Sequence, residues 1–338
     1  MNKPIWKMYN FNKKFLRIDW IYKEYANVQS FTLDEFLNAV NNSYYQNSAN
    51  LYTFRFVKDI ICNYKYMFDH LNLRNELQQR YVVDIGGGTG LEYEIFKSLS
   101  VDFKHFKFIE PSKDMMNIFL DRIGEELNTK ISIHNGNFSD LVDEVKDEPN
   151  KLLILNSTLH HIIFLNRFLD ELKSSMRKGD LFLLSHEPNN DYSKTFLFLQ
   201  KSIKALTTTS LIKKITFLLK SDVNDAERWN LINQNLLADK VLVKEMSPLL
   251  IRRIIDYGVG YKRDWEKLAI PEEFDEGFWN IDDLSSYLGE DYKLSYYQTY
   301  RHFGDPNGNL LIYIFNRFMQ YLLKNHGSNF IAVWKKVS

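Results

Sequence analysis

The sequence has little of several things, and each shortage excludes a class of protein. It contains one cysteine, Cys62, so it can form neither an internal disulfide nor a cysteine-rich metal site, which fits a reducing cytosol. No stretch approaches the roughly 20 apolar residues of a membrane span, and residues 1–14 lack the apolar run of a secretory signal. We therefore expect a cytoplasmic protein without stable membrane insertion.

The chain also lacks an excess of charge of either sign. Lysine and arginine together number 43, as do aspartate and glutamate, so the formal net charge is zero. A protein whose main partner is a polyanion usually carries a basic excess, so we do not expect nucleic acid as a partner.

The 338 residues are rich in hydrophobic side chains, which make up 45% of the chain and include 25 Phe, 20 Tyr and 6 Trp. This suffices for a large core and for pockets that bind apolar molecules.

The most informative segment is a glycine-dense turn at residues 82–90, Val-Val-Asp-Ile-Gly-Gly-Gly-Thr-Gly. An apolar run ends in the acid Asp84, and the turn that follows contains Gly86, Gly87, Gly88 and Gly90. Glycines let the backbone approach a ligand closely, so a cofactor-binding loop is expected. A dinucleotide fingerprint needs Gly-x-Gly-x-x-Gly, and a leucine at position 91 replaces its third glycine, which disfavours a nicotinamide oxidoreductase. The alternative is a glycine-rich turn without a ligand.

Short apolar runs alternate with helical patterns along the rest of this region. Strands are predicted at 81–85, 106–109, 131–134, 152–155 and 181–184. Such alternation is typical of a parallel sheet with helices on both faces and with ligands at the carboxyl ends of the strands. Two later runs, 292–300 and 329–334, would complete the sheet with an antiparallel strand.

Four segments in chain order carry a resemblance to a known family. Acid-x-Gly-x-Gly-x-Gly at 84–90 resembles motif I of the class I S-adenosylmethionine-dependent methyltransferases. The segment 135–138 resembles the one that binds adenine in that family, and the segments 152–162 and 179–189 are similar to its fourth- and fifth-strand segments. The resemblance implies S-adenosyl-L-methionine as cofactor and methyl transfer as activity. It also implies an α/β fold with a Rossmann-like mixed seven-stranded sheet and helices on both faces.

Around this fold we predict two further regions. The methyltransferase core would comprise residues 79–189 and 291–338, because the α/β rhythm is confined to them. Residues 1–78, rich in Tyr, Phe and Asn, would form a helical N-terminal cap. Residues 190–290, where helical patterns replace the α/β rhythm, would form a mostly helical insertion that acts as a substrate lid.

The resemblance assigns further cofactor-binding residues at the ends of the second, third and fourth strands: Glu110, Pro111, Met115, Asn137, Phe138, Asn156 and Ser157. Glu110 should bind the ribose hydroxyls, and Met115 should pack against the adenine. Asn137 stands where the family usually has an acid, and its amide oxygen still accepts a hydrogen bond from the adenine amine. Alternatives stay open: Glu110 as a helix N-terminal acid, Met115 as a core residue and Asn137 as a turn residue.

Three histidines at the predicted carboxyl edge of the sheet, His160, His161 and His186, are candidate catalytic residues. A neutral imidazole suits proton removal from a hydroxyl or ammonium acceptor near neutral pH, whereas a free amine or thiolate needs no base. A structural role for the histidines is the alternative. Glu187 would contact the substrate or cap a loop. The chain has no His-x-x-x-His or carboxylate cluster beside them, so no metal is expected.

The aromatic residues Tyr44 and Tyr45 of the cap and Trp229 of the insertion are candidates for the walls of an acceptor pocket. The predicted acceptor is therefore a small, partly apolar molecule of secondary or lipid-like metabolism, methylated on oxygen or nitrogen. One rival is a non-catalytic methyltransferase-fold subunit that works by interaction, and the other is the oxidoreductase disfavoured above. A homodimer is left open.

Overall fold

The computed structural model describes residues 18–47, 57–124, 130–162, 165–189, 228–248, 250–251, 254–255, 281–303 and 310–338. The chain divides into two compact units. The first contains residues 1–51 and 210–277, and the second contains residues 52–209 and 278–338. The ranges 190–227 and 256–280 of the predicted insertion lie outside the described residues.

In the first unit, the N-terminal helices are joined to part of the predicted insertion. Helices α1 (Ile18–Tyr25) and α2 (Leu33–Gln46) come first, and a further helix spans 228–238. The side chain of Thr32 accepts from the backbone N–H of Glu35, whose carboxylate accepts in return from the Thr32 N–H, and this capping box starts α2. Asn27 donates its backbone N–H to the carbonyl of Val241 at 2.9 Å, which links two segments that the sequence analysis placed in separate regions.

Seven strands form one mixed sheet in the second unit, in the order β3-β2-β1-β4-β5-β7-β6. Strands β1 to β5 are parallel, and β7 runs antiparallel to both β5 and β6. The predicted Rossmann-like mixed sheet is therefore confirmed, including its antiparallel end. The strands are β1 (Tyr81–Ile85), β2 (His105–Ile109), β3 (Ile131–His134), β4 (Lys151–Asn156), β5 (Leu181–Pro188), β6 (Tyr292–Tyr300) and β7 (Asn329–Lys336).

Helices cover both faces of this sheet. They are α3 (Val57–Leu71), α4 (Leu73–Leu77), α5 (Leu91–Ser98), α6 (Lys113–Ile123), α7 (Val142–Asp147), α8 (Leu165–Ser175), α9 (Ile281–Leu288) and α10 (Leu310–Leu322). On one face, Phe68 of α3 packs with Phe96 of α5 above Val82 of the sheet. On the other face, Trp334 of β7 donates its indole N–H to Ser285 of α9 at 3.0 Å. None of the helices in the described ranges combines the length and apolarity that a bilayer span requires.

Helix α3 differs in position from the prediction. The sequence analysis placed it in an N-terminal cap that ends at residue 78, whereas the second unit already begins at residue 52. Tyr64, Met67 and Phe68 are completely buried in the main hydrophobic cluster, which includes sheet residues. Burial of three large side chains makes α3 a part of the core.

Candidate functional site

The glycine loop is fixed to the carboxyl end of β2. The backbone N–H groups of Gly86 and Gly87 both donate to the carbonyl of Ile109, at 2.9 and 3.1 Å. Gly86, Gly88 and Gly90 have φ angles of 69°, 57° and 88°, in the left-handed region that favours glycine. Two shared hydrogen bonds and three left-handed residues make this loop a defined turn.

Three of the four glycines are required by packing, and the fourth faces open space. A Cβ atom on Gly86 would collide with the side chain of Thr158, one on Gly87 with Phe108 and one on Gly90 with Phe119. A Cβ atom on Gly88 would meet only the Met115 sulfur, at 4.0 Å. Gly88 is thus the loop glycine whose missing side chain leaves room for a ligand, and Met115, buried on the first turn of α6, lies beside that room.

Glu110 follows β2 and is held against the loop. One carboxylate oxygen accepts the backbone N–H of Gly88 at 2.8 Å, and the other accepts that of Ser112 at 2.7 Å. Burial raises the pKa of Glu110 to about 7, against the opposing effect of these two hydrogen bonds. Because a carboxylate offers about four acceptor positions, the two oxygens can still accept from the hydroxyl groups of a ligand.

Asp84, one residue before the end of β1, is completely buried, and neither carboxylate oxygen has a hydrogen-bond partner. Burial raises its pKa well above the usual value, and the nearby carboxyl groups of Glu92 and Glu110 raise it further. A buried carboxylate of this kind is stabilised by a cation. A ligand with a cationic group and a diol, as S-adenosylmethionine has, therefore fits Asp84, Gly88 and Glu110.

The turn after β4 is built around Glu187. This side chain is completely buried, and its oxygens accept the backbone N–H groups of Thr158, Leu159 and His160 at 2.8, 2.9 and 3.2 Å. It also lies 2.8 Å from Nδ1 of His160. Of the two roles considered for Glu187, the observed contacts are those of the loop cap, and its contact with a substrate stays a prediction.

Two of the three predicted catalytic histidines lie together, and the third has a different environment. The rings of His160 and His161 are 3.9 Å apart between centroids. His186, with a left-handed φ of 58°, has Nδ1 at 2.8 Å from the Tyr300 hydroxyl and Nε2 at 3.0 Å from a guanidinium nitrogen of Arg301. Desolvation and then the charge of Arg301 lower the pKa of His186 well below its usual value. These contacts favour a structural role for His186.

The remaining predicted cofactor residues are distributed along the same edge of the sheet. Asn156 ends β4, and its amide atoms are buried without a hydrogen-bond partner, whereas Ser157 next to it adopts a φ of 54°. The carbonyl of Pro111 accepts from the side chain of Asn135 at 3.2 Å. The exposed Asn137 donates its backbone N–H to Asp140 at 2.8 Å, and Phe138 is buried against Phe168. Contact of Asn137 and Phe138 with adenine stays a prediction.

The three aromatic residues predicted for the acceptor pocket belong to the first unit. Tyr44 lies 5.2 Å from Tyr45 and 5.7 Å from Trp229 between ring centroids. The guanidinium of Arg228 lies over the rings of Tyr44 and Trp229, at 5.6 and 5.0 Å. The cap and the insertion thus contribute to one aromatic cluster, and its contact with an acceptor stays a prediction.

Sequence reasoning missed two residues of this site, Thr158 and Glu92. Thr158 Oγ1 donates to the carbonyl of Gly86 at 3.2 Å or to that of Asn156 at 2.9 Å, which joins the glycine loop to the turn after β4. Glu92 is buried on α5 and lies next to Asp84. A signal for Glu92 was present, because positions three and four residues later are the apolar Ile95 and Phe96 on the same helix face.

No metal centre accompanies this site in the part of the chain that the structure describes, where no group of three or more His, Cys, Asp or Glu side chains is arranged to hold an ion. The polar groups that remain at the edge of the sheet are carboxylates, amides, hydroxyls and imidazoles. Their chemistry is that of binding a polar organic ligand and of moving a proton.

Several solved structures are similar to this chain. The matches include an S-adenosylmethionine-dependent methyltransferase from Anabaena variabilis, 14% identical, covering 89% of this chain and 94% of its own, with a TM-score of 0.44. A putative methyltransferase of the same kind from Listeria monocytogenes is 9% identical over 80% of this chain and 96% of its own, with a TM-score of 0.42. A DhpI–SAH complex is 17% identical over 45% and 70%, with a TM-score of 0.32.

The first two of these structures are described as S-adenosylmethionine-dependent methyltransferases, the second of them as a putative one, and the third contains SAH. No protein-family model matches the sequence, and no curated protein sequence matches it.

Proposed function

We propose that this protein is a class I S-adenosylmethionine-dependent methyltransferase that acts on a small-molecule acceptor. The observation that carries the proposal is the position of Thr158. Its hydroxyl lies within hydrogen-bonding distance of the Gly86 carbonyl in the glycine loop, and its backbone N–H donates to Glu187, which also contacts His160. A ligand-binding loop and an oriented imidazole therefore share one edge of the sheet, as group transfer requires.

Four residues would hold the cofactor, which supplies an activated methyl group when it is bound. Gly88 leaves space for it, and Met115 offers an apolar surface beside that space. Glu110 would accept hydrogen bonds from its ribose hydroxyls. The carboxylate of Asp84, which has no partner within the protein, would face a cationic group. These roles use only donors and acceptors that the protein leaves available.

His160 is the residue best placed to act as a base. Since Nδ1 lies against the Glu187 carboxylate, which only accepts hydrogen bonds when ionised, Nδ1 carries the ring proton and Nε2 presents a lone pair. Nε2 would take the proton of an acceptor hydroxyl or ammonium group. The adjacent ring of His161 would form part of the acceptor surface or serve as a second base.

The finer parts of the function follow from the composition and the aromatic cluster. Tyr44, Tyr45 and Trp229 would form walls for a partly apolar acceptor, methylated on oxygen or nitrogen in secondary or lipid-like metabolism. A cytoplasmic location and a homodimer belong to the same proposal. The rival function is that of a non-catalytic subunit that binds the cofactor, or nothing.

Calorimetric titration with S-adenosylmethionine tests the cofactor site through a pair of glycine variants. Gly88 and Gly289 both have positive φ angles, and a Cβ on either would meet no close neighbour, but Gly289 lies after α9, at the opposite end of strand β6 from Tyr300. Gly88→Val should abolish the binding heat, while Gly289→Val, which also places a valine at a positive φ, should retain it. Equal binding by both variants would refute the assignment.

A second experiment separates an enzyme from a binding subunit. The wild-type protein is incubated with methyl-labelled S-adenosylmethionine and a panel of phenols, alcohols and amines that have apolar bodies. Transfer of label to a member of the panel is expected, and it should be lost in His160→Ala for a hydroxyl acceptor. Binding of the cofactor without transfer to any member would favour the non-catalytic subunit.

A further inference from the structure

Five side chains form a polar layer above the apolar core of the sheet. Asp84, Asn156 and Ser185 lie at the carboxyl ends of the neighbouring strands β1, β4 and β5, and Asn156 pairs in register with Ser185. Two residues earlier, the same strands place Val82, Ile154 and Leu183 in the main hydrophobic cluster, so alternation puts the three polar residues on that face. Tyr64 of α3 and Glu92 of α5 complete the polar layer from the helices above.

Four of the five side chains of the polar layer are buried, Tyr64 and Asp84 completely, Ser185 with 1% and Glu92 with 2% exposed, and Asn156 is partly exposed. Neither Asp84 oxygen has a hydrogen-bond partner. Glu92 lies near Asn156 and Tyr64, and Tyr64 lies near Ser185, but one Glu92 oxygen, the Tyr64 hydroxyl, the Asn156 amide atoms and the Ser185 hydroxyl lack a hydrogen bond of good geometry. Each such group costs about 1–3 kcal/mol when it stays unpaired. Their concentration in one layer therefore indicates a binding site for a polar group of a ligand.

The charges of the polar layer specify the ligand chemistry. The titratable groups that act on Asp84 are Glu92 and Glu110, and Tyr64 lies beside Glu92, so no cation faces either carboxylate among the described residues. Burial is the main cause of the raised pKa of Tyr64, and Tyr300 of β6 adds slightly to it. Two carboxylates fit an ammonium group, while the hydroxyl and amide donors fit a carboxylate. An α-amino-acid group carries both.

We propose that Asp84 and Glu92 hold one proton between them in the ligand-free protein and release it to solvent when an ammonium group binds between them. The proposal rests on the proposed function for the identity of the ligand, whose amino-acid end would supply that ammonium. One O–H bond changes: the carboxyl that carries the proton loses it to water or to the buffer base, and the ammonium keeps its three N–H bonds. Two buried carboxylates without a counter-ion cannot both be ionised at neutral pH without a large energetic cost.

The electrostatics of the two side chains are consistent with this exchange. Burial raises the pKa of Glu92 to about 7, with Asn156 and Tyr64 opposing the shift. Burial also raises the pKa of Asp84 well above its usual value, and Glu92 is the next largest cause. The protonation of either carboxyl group therefore depends on that of the other, and the two titrate as a pair.

Calorimetry in buffers of different ionisation enthalpy measures the released proton. S-adenosylmethionine is titrated into the full-length protein at pH 7 in phosphate and in Tris. The difference between the two binding enthalpies, divided by the difference between the ionisation enthalpies of the buffers, should correspond to about one proton released per ligand. S-adenosylhomocysteine, which has the same amino-acid end without the sulfonium charge, should release the same number. Glu92→Gln should bring the released number close to zero. Glu94→Gln, on the same helix but partly exposed, should behave as wild type.

The outcomes separate this proposal from the function on which it rests. Binding with the same heat in both buffers would show that no proton is released. It would refute the proposal for Asp84 and Glu92 and leave the cofactor assignment intact. No binding heat at any pH would refute the cofactor assignment itself. If Glu92→Gln does not fold, the wild-type buffer series at pH 7 and its repetition at pH 6, where the α-amino group of the ligand is fully protonated and the released number should not fall, decide the matter alone.

Discussion

Glu187 Oε2 lies 2.8 Å from Nδ1 of His160, although the two residues are separated by 27 positions in the sequence. The same carboxylate accepts three backbone N–H groups of the turn that carries the histidine. The turn and its imidazole are therefore held by one buried side chain. In the proposed mechanism, Glu187 is a positioning residue that fixes the ring and its tautomer.

Substitution of Glu187 should affect stability in proportion to the hydrogen bonds that it removes. Glu187→Ala leaves three backbone N–H groups without their acceptor, so the free energy of unfolding should fall by about 3 kcal/mol or more. Glu187→Gln keeps one acceptor oxygen and should cost clearly less. Urea denaturation measures both. Glu171→Ala, which removes an ion pair to the exposed Arg167, is the control and should change stability by less than about 1 kcal/mol. Equal losses in all three variants would contradict the capping role.

His160 and His186 should differ in what their removal changes. His160→Ala should reduce methylation of a hydroxyl acceptor about 100-fold or more, while the affinity for S-adenosylmethionine stays close to wild type. His186→Ala should instead lower the unfolding free energy, because the Tyr300 hydroxyl and Arg301 lose a partner. Steady-state kinetics and urea denaturation of both variants check this contrast. A stable His186→Ala protein with lost turnover would restore His186 as a catalytic residue.

The sequence predicted the fold well because its signals are local. Apolar runs of four to nine residues between helical patterns located all seven strands, and the glycine turn located the ligand edge. The placement of α3 was not predictable in the same way. Helical periodicity shows that the helix has an apolar face, but it does not show that Tyr64 and Phe68 pack on the sheet.

The candidate site was predicted where strand ends supply the side chains, and it was incomplete where contacts are long-range. Asp84, Glu110 and Asn156 follow from their positions at strand ends. The ion pair between Asp59 and Arg301, which lies beside His186, joins residues 242 positions apart and has no sequence signature. The roles of the separate glycines were likewise hidden, since only the fold shows which of them touch a side chain.

Gly86 provides a test of that distinction. A Cβ atom on Gly86 would collide with the Cγ2 methyl of Thr158. Gly86→Ala should therefore lower the unfolding free energy by about 2 kcal/mol, from the collision and from the left-handed φ. Thr158→Ser removes the methyl and keeps the hydroxyl, so the double variant should recover part of this loss. A double-mutant cycle by urea denaturation measures the coupling, and strictly additive losses would show that the two side chains do not collide.

The contribution of Glu110 to the stability of the ligand-free protein should fall as the pH rises from about 5 to about 8. Burial raises the pKa of Glu110 from its usual 4.5 to about 7, so the folded protein binds this proton more tightly than the unfolded chain does. Its contribution is fully present below pH 4.5 and is lost as the pH rises through about 7, amounting to roughly 3 kcal/mol. Urea denaturation at pH 5, 6, 7 and 8 measures the slope.

Glu110→Gln should flatten this profile in part, because Asp84 and Glu92 have pKa values raised in the same direction and still contribute. Glu171→Gln, a half-exposed carboxyl of α8, should leave the profile of the wild type unchanged. Since the raised pKa arises from burial at the crevice, the flattening must appear in the ligand-free protein. A Glu110→Gln profile parallel to that of the wild type would mean that this carboxyl is ionised throughout the range and is accessible to water.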